Sequence, residues 1–157
     1  MKRVAEENLK KLGLDLPDPP QPAASYVPCV QSGNLVFLSG QGTMFNGERK
    51  YTGAVGRERT PEEGYQAARI CALNLLSQLR GYLHSLDRVK RVVNLRGYVN
   101  SADGFCGQPQ VINGASDLLC QVFGPEVGRH SRTALGTAFL PNHITAEAEL
   151  IVEIDEL

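Results

Sequence analysis

The chain has 157 residues, 42% of them hydrophobic and 21% charged, which fits one domain with a substantial core and argues against intrinsic disorder. Its 16 basic and 17 acidic residues leave a net charge of -1, so there is no basic excess for a phosphate backbone and no nucleic-acid partner is expected. The start MKRVAEENLKKLGL lacks the apolar core of a secretory signal, and no window reaches the ~18 apolar residues of a membrane span, so a cytoplasmic protein with no membrane partner is expected.

In chain order, residues 2–13 are predicted as a short helix with Val4, Leu9 and Leu12 as its apolar positions and Gly13 as its stop. The run Leu16-Pro17-Asp18-Pro19-Pro20-Gln21-Pro22 is a proline-stiffened connector, which can neither continue a helix nor donate to a sheet. Strands over Tyr26–Gln31 and Leu35–Ser39 are joined by Ser32-Gly33-Asn34, whose Gly and Asn tolerate positive φ, so a hairpin is expected. Gly40-Gln41-Gly42 then opens a Gly- and charge-rich loop through Arg59.

Thr60-Pro61-Glu62-Glu63 is a helix start: Thr60 caps, Pro61 suits the first turn, and Glu63 completes a capping box. The helix is predicted to run to about His84, with Ala68, Ala72, Leu75, Leu79 and Tyr82 as its buried stripe. A strand over Val92–Asn100 follows, then a helix over Gln108–Phe123 facing inward with Val111, Ala115, Leu118, Leu119 and Val122. The loop 124–131 leads to a strand over Thr133–Phe139, and Pro141-Asn142-His143 turns the chain into a last strand over Ile144–Ile154. There Ile144, Ala146, Ala148, Leu150 and Val152 alternate with Thr145, Glu147, Glu149, Ile151 and Glu153.

The order α-β-β-α-β-α-β-β predicts an α+β sandwich, a mixed sheet with helices on one face. The last two strands are expected to pair as a hairpin, which would set Arg132 beside the Glu147 and Glu149 face. Ile151 on that otherwise acidic face points to a subunit interface.

Arg132, ahead of a strand and after a Gly-rich loop, offers a planar fork for a carboxylate. A surface ion pair with Glu147 or Glu149 is the competing use. Glu147 and Glu149 share one face of the last strand, and a carboxylate there could orient a water as general base or simply hold the arginine. Tyr26 heads the first strand with a phenol able to stack and hydrogen-bond, and Ser39-Gly40-Gln41 is a bend that lets a ligand approach the main chain. No dinucleotide, phosphate-loop, nucleophile-elbow or zinc-protease motif is present. His84, His130 and His143 share no ligand spacing, and Cys29, Cys71, Cys106 and Cys120 are read as reduced thiols, so neither metal nor cofactor is expected. The cluster Arg88, Lys90 and Arg91, with Arg80 and Arg96 nearby, is read as a solvated strand entrance.

Taken together, Tyr26-Val27, Gly33 through Gln41, Val111-Ile112-Asn113, Ser131-Arg132-Thr133-Ala134-Leu135, Leu140-Pro141 and Ile144 to Ile151 resemble the YjgF/RidA family of reactive-intermediate deaminases, whose relatives are often called endoribonucleases. The resemblance covers 22–157 and leaves 1–21, the helix and connector, outside. It implies a chorismate-mutase-like fold with two long helices on one face of the sheet, and a homotrimer around a central barrel with ligand clefts at the subunit interfaces. It also implies hydrolysis of 2-enamine or 2-imine acids to 2-keto acids and ammonia. Arg132 would clamp the substrate carboxylate and Glu147 would position the water. Tyr26, Ser39, Gly40 and Asn113 would shape the pocket, with the Ala134 backbone bonding the acid. Some relatives carry Cys where Ala134 stands, and the segments 40–60 and 123–131 also depart from the family pattern. The alternative is a non-catalytic binder of small carboxylates on the same fold.

Overall fold

The structure is a computed structural model and describes residues 3–155. The first helix, α1 (Ala5–Lys11), carries Glu6 and Glu7 in its first turn and Lys10 and Lys11 in its last, which suits the helix dipole. Its expected start at Lys2 lies outside the described residues. Ala5 and Leu9 are buried, whereas Leu12 is exposed. Glu6 accepts from the Leu86 amide at 2.9 Å and Asn8 donates to the Val122 carbonyl at 2.9 Å, so α1 is docked on the body.

A hairpin of β1 (Cys29–Ser32) and β2 (Leu35–Gln41) turns at Gly33, whose φ is 59°. A small ribbon, β3 (Met44–Phe45) with β4 (Glu48–Arg49), follows. Then α2 (Pro61–Leu83) begins with the complete capping box: Glu63 N–H donates to Thr60 Oγ1 at 3.1 Å and Thr60 N–H to Glu63 Oε2 at 2.8 Å. Ala68, Ala72, Leu75 and Leu79 are fully buried as expected. Tyr82 is not part of that stripe: it is exposed, because its polar tip keeps it at the helix edge.

The long strand β5 (Val89–Asn100) leads into α3 (Gln108–Gly128), whose Val111, Ala115, Leu118, Leu119 and Val122 are all buried. Helix geometry breaks at Gly124 (φ 81°, ψ 163°) and resumes for one turn from Pro125, where a plain loop was expected. The two long helices lie very close: a Cβ at Gly114 would collide with the Tyr65 carbonyl.

The last strands are β6 (Ser131–Thr137) and β7 (Ala146–Ile154), and the main sheet has the order β1-β2-β7-β5-β6. This corrects the expected C-terminal hairpin, since β6 pairs parallel to β5 and β7 pairs antiparallel to both β2 and β5. The reason is burial. The row Ala146, Ala148, Leu150, Val152 and Ile154 is within 1% of complete burial, which demands a central strand covered by helices. Asn142 and His143, both at positive φ, redirect the chain so that it enters the sheet centre rather than folding back on β6.

The result is an α+β fold with α2 and α3 on one face of a mixed sheet. The other face is open, and one cross-strand row runs Val30, Phe37, Ile151, Asn94 and Ser131. Val30 and Phe37 are exposed on it, as is Leu135 on β6.

Candidate functional site

The expected site residues fall into two groups. Tyr26, Ser39, Gly40 and Glu147 line one groove of about 660 Å³. Its outer wall is the connector, which α2 pins in place: Ser77 Oγ donates to the Pro17 carbonyl and Gln78 Nε2 to the Pro20 carbonyl, each at 2.5 Å. Its floor is the end of β2, where the pairing with β7 slips between Leu38 and Gln41. Gly40 sits in that slip, and a Cβ there would collide with Glu147 Oε1, so only glycine leaves room for the carboxylate. Ser39 Oγ donates to the Val27 carbonyl at 2.8 Å and so ties the β2 end to the segment before β1. Tyr26 belongs to that segment and does not head the strand, which begins at Cys29. It is 46% exposed, and its hydroxyl accepts from the Ala23 amide at 3.4 Å.

Glu147 is half-buried on β7, facing the open side of the sheet. Burial pushes its carboxyl above the ordinary glutamate value, and the charge of Glu149 pushes it further the same way. Glu149 is itself bound by Arg96 Nη1 at 3.2 Å and the Tyr98 hydroxyl at 3.3 Å. Among the described residues no hydrogen bond or ion pair engages the Glu147 carboxylate.

Asn113, Arg132 and Ala134 form the second group, at the β6 edge. Arg132 Nη1 donates to Asn113 Oδ1 at 2.7 Å and to Ser116 Oγ at 3.1 Å, and Nη2 donates to the Pro109 carbonyl at 3.1 Å. All these acceptors are neutral, and among the described residues Arg132 has no ion pair with Glu147, Glu149 or any other carboxylate. Pro109, Asn113 and Ser116 share one face of α3 by their spacing, which is why one guanidinium meets all three. Ala134 lies two residues on, on the same face of β6, packed against the core.

The two groups do not meet within one chain. Arg132 is in register with Leu95 and Leu150, both core-facing, whereas Glu147 is in register with Tyr98 and Leu135 on the open face. Two strand spacings and three residues separate them, roughly 14 Å between backbones. Sequence order had suggested they were neighbours, and the intervening β5 is what parts them.

Ser116 and His130 are contacts of this site that the sequence left unassigned. Ser116 was readable only as a polar position one turn after Asn113. His130 Nε2 lies 2.9 Å from Ser116 Oγ and its Nδ1 lies 2.6 Å from the Gly128 carbonyl. Burial holds the His130 pKa below the ordinary histidine value. No cysteine joins either group: burial pushes the Cys29 thiol up to about 11 and raises that of Cys71, and Cys106 is exposed elsewhere.

Comparison with known proteins sets these two groups in a family. Residues 6–154 match the family model described as "YjgF/chorismate mutase-like, putative endoribonuclease". The chain is 47% identical over 153 residues to Protein TCP17 of Trypanosoma cruzi, covering 98% of this chain and 95% of that one. Among solved structures, Agrobacterium tumefaciens Atu1372, a protein of unknown function, superposes with a TM-score of 0.89 at 45% identity, covering 97% of this chain and 93% of that one. A Shewanella oneidensis protein, also described as an endoribonuclease of the "putative" kind, gives 0.92 at 33% identity, covering 96% and 99%. With its fold, the family match over residues 6–154 and the relatives in agreement, the chain belongs to the YjgF/chorismate mutase-like family.

Proposed function

We propose that this protein is a cytoplasmic hydrolytic deaminase of reactive 2-enamine and 2-imine acids, acting as a homotrimer. Each cleft would join the Arg132 side of one protomer to the Glu147 groove of the next. One observation carries this reading: a cation and an anion, each without an opposite charge, stand on opposite faces of one sheet and cannot serve each other. A ring of copies joined head to tail supplies each with its complement. The same assembly would cover the apolar row Val30, Phe37 and Ile151.

The chemistry suits the residues. An enamine acid tautomerises to an imine whose C2 is already electrophilic, so orientation and proton transfer carry the reaction. Arg132 grips the carboxylate. Glu147 takes a proton from water as the water oxygen bonds to C2 and passes it to the imine nitrogen, giving a carbinolamine; it then takes the proton of the new C2 hydroxyl and passes it to the same nitrogen as the C2=O bond forms and the C2–N bond breaks. The products are a 2-keto acid and ammonia. The raised pKa of Glu147 suits a group that must take and return a proton. A ribonuclease role has less support, since the net charge of -1 supplies no field for RNA.

The test is to generate 2-aminoacrylate with a dehydratase and follow pyruvate release. The protein should accelerate it, and Arg132→Ala should lose about a hundredfold or more in kcat/KM. Equal acceleration by Arg132→Ala would overturn the reading. Ala134, with no polar side chain to help hold a water, favours a second one: a 2-keto-acid binder without turnover. Tight pyruvate binding with no acceleration on any imino acid would select it.

A further inference from the structure

Arg132 can donate five hydrogens, and three are engaged: two on Nη1, by Asn113 and Ser116, and one on Nη2, by Pro109. That leaves Nε–H and one hydrogen on Nη2, the number a carboxylate takes in a two-point pair. What holds the guanidinium in this attitude extends one layer further than Asn113.

The hydrogens of that layer follow by elimination. A guanidinium only donates, so Ser116 Oγ accepts from Arg132 and its own hydrogen is free to point elsewhere. A carbonyl only accepts, so the bond at 2.6 Å to Gly128 places a proton on His130 Nδ1. His130 Nε2, 2.9 Å from Ser116 Oγ, therefore offers its lone pair to the serine hydroxyl when the ring is neutral. The chain of donors runs Arg132 to Ser116 to His130 to the Gly128 carbonyl. It starts on a charged group and ends on the backbone at the C-terminus of α3. Every link is satisfied only if Ser116 points its lone pair at Arg132, which fixes a hydroxyl that would otherwise rotate.

We infer that Ser116 and His130 are positioning residues which fix the Arg132 guanidinium for a two-point grip on a ligand carboxylate. This rests on the carboxylate-clamp reading of Arg132. A merely structural tie would affect stability alone. A positioning relay acts selectively on ligands that carry the carboxylate.

The experiment is calorimetric titration of the full-length protein with pyruvate and with pyruvamide, its uncharged amide, alongside thermal melting. Ser116→Ala should weaken pyruvate binding about fivefold or more and leave pyruvamide binding unchanged. Ser116→Thr, which keeps the hydroxyl, should restore most of the affinity. His130→Ala should act in the same direction by a smaller factor. The double variant should be no worse than Ser116→Ala, since the two act in series. Pyruvate affinity equal to wild type in Ser116→Ala, or equal losses for pyruvate and pyruvamide, would overturn the inference. If Ser116→Ala does not fold, His130→Ala decides by the same comparison. Arg132→Ala separates the two levels: if it binds pyruvate normally, the clamp itself fails. If it alone loses binding, the clamp stands and the relay falls.

Discussion

The β6 edge and the connector groove are prepared in opposite ways. At the edge, Arg132 is ordered by Asn113, Ser116 and the Pro109 carbonyl, three neutral acceptors that orient a charge without cancelling it. In the groove, Glu147 has no such partner and is pressed by burial and by the like charge of Glu149. One group is oriented by contacts, and the other is left without them. Two unmet charges of opposite sign on opposite faces of one sheet are what the proposed shared cleft would complete.

The largest effect that can break this comparison comes from mixing two defective variants. Arg132→Ala and Glu147→Gln should each lose about a hundredfold or more in turnover. Unfolded together and refolded as mixed assemblies, they should regain about a quarter of the wild-type rate, because a random ring unites an intact arginine with an intact glutamate at that share of its junctions. No recovery would mean that each chain holds its own complete site, and the division of labour drawn above would be lost.

A smaller effect tests the groove alone. In Gly40→Ala the new Cβ collides with Glu147 Oε1, so the carboxylate must swing or β2 must shift. A loss of about tenfold in kcat is expected with a nearly unchanged KM, since the reacting geometry suffers while the arginine edge is untouched. A rise in KM alone would show that Gly40 shapes binding and not the placement of Glu147.

Local structure was legible in the sequence because its causes are local. Thr60 and Glu63 announced the start of α2, and the alternation from Ala146 to Ile154 announced a strand with one apolar face. The site residues were nameable through the family resemblance, yet their arrangement was not. Adjacency along the chain makes a β6–β7 hairpin the simplest choice. Whether β5 inserts between them depends on how α3 carries the chain from one side of β5 to the other, a non-local outcome of core burial. The hidden feature with the weakest signal was Ser116. On α3 it reads as a solvated polar position, and only the parallel pairing of β5 with β6 brings Arg132 and His130 onto it.

The smallest effect concerns pH and separates the two causes of the raised Glu147 pKa. As the proposed base, Glu147 must be deprotonated, so kcat/KM should fall as pH drops through a value above 4.5, the ordinary glutamate position for this group. Burial is the larger cause and Glu149 the second. Glu149→Gln removes the like charge that faces Glu147. The loss of that like charge favours the charged form, so the acid limb should move to lower pH, while the larger cause, burial, remains. An acid limb that does not move, measured from pH profiles of kcat/KM on both proteins, would assign that limb to another group and remove Glu147 from the proton transfer.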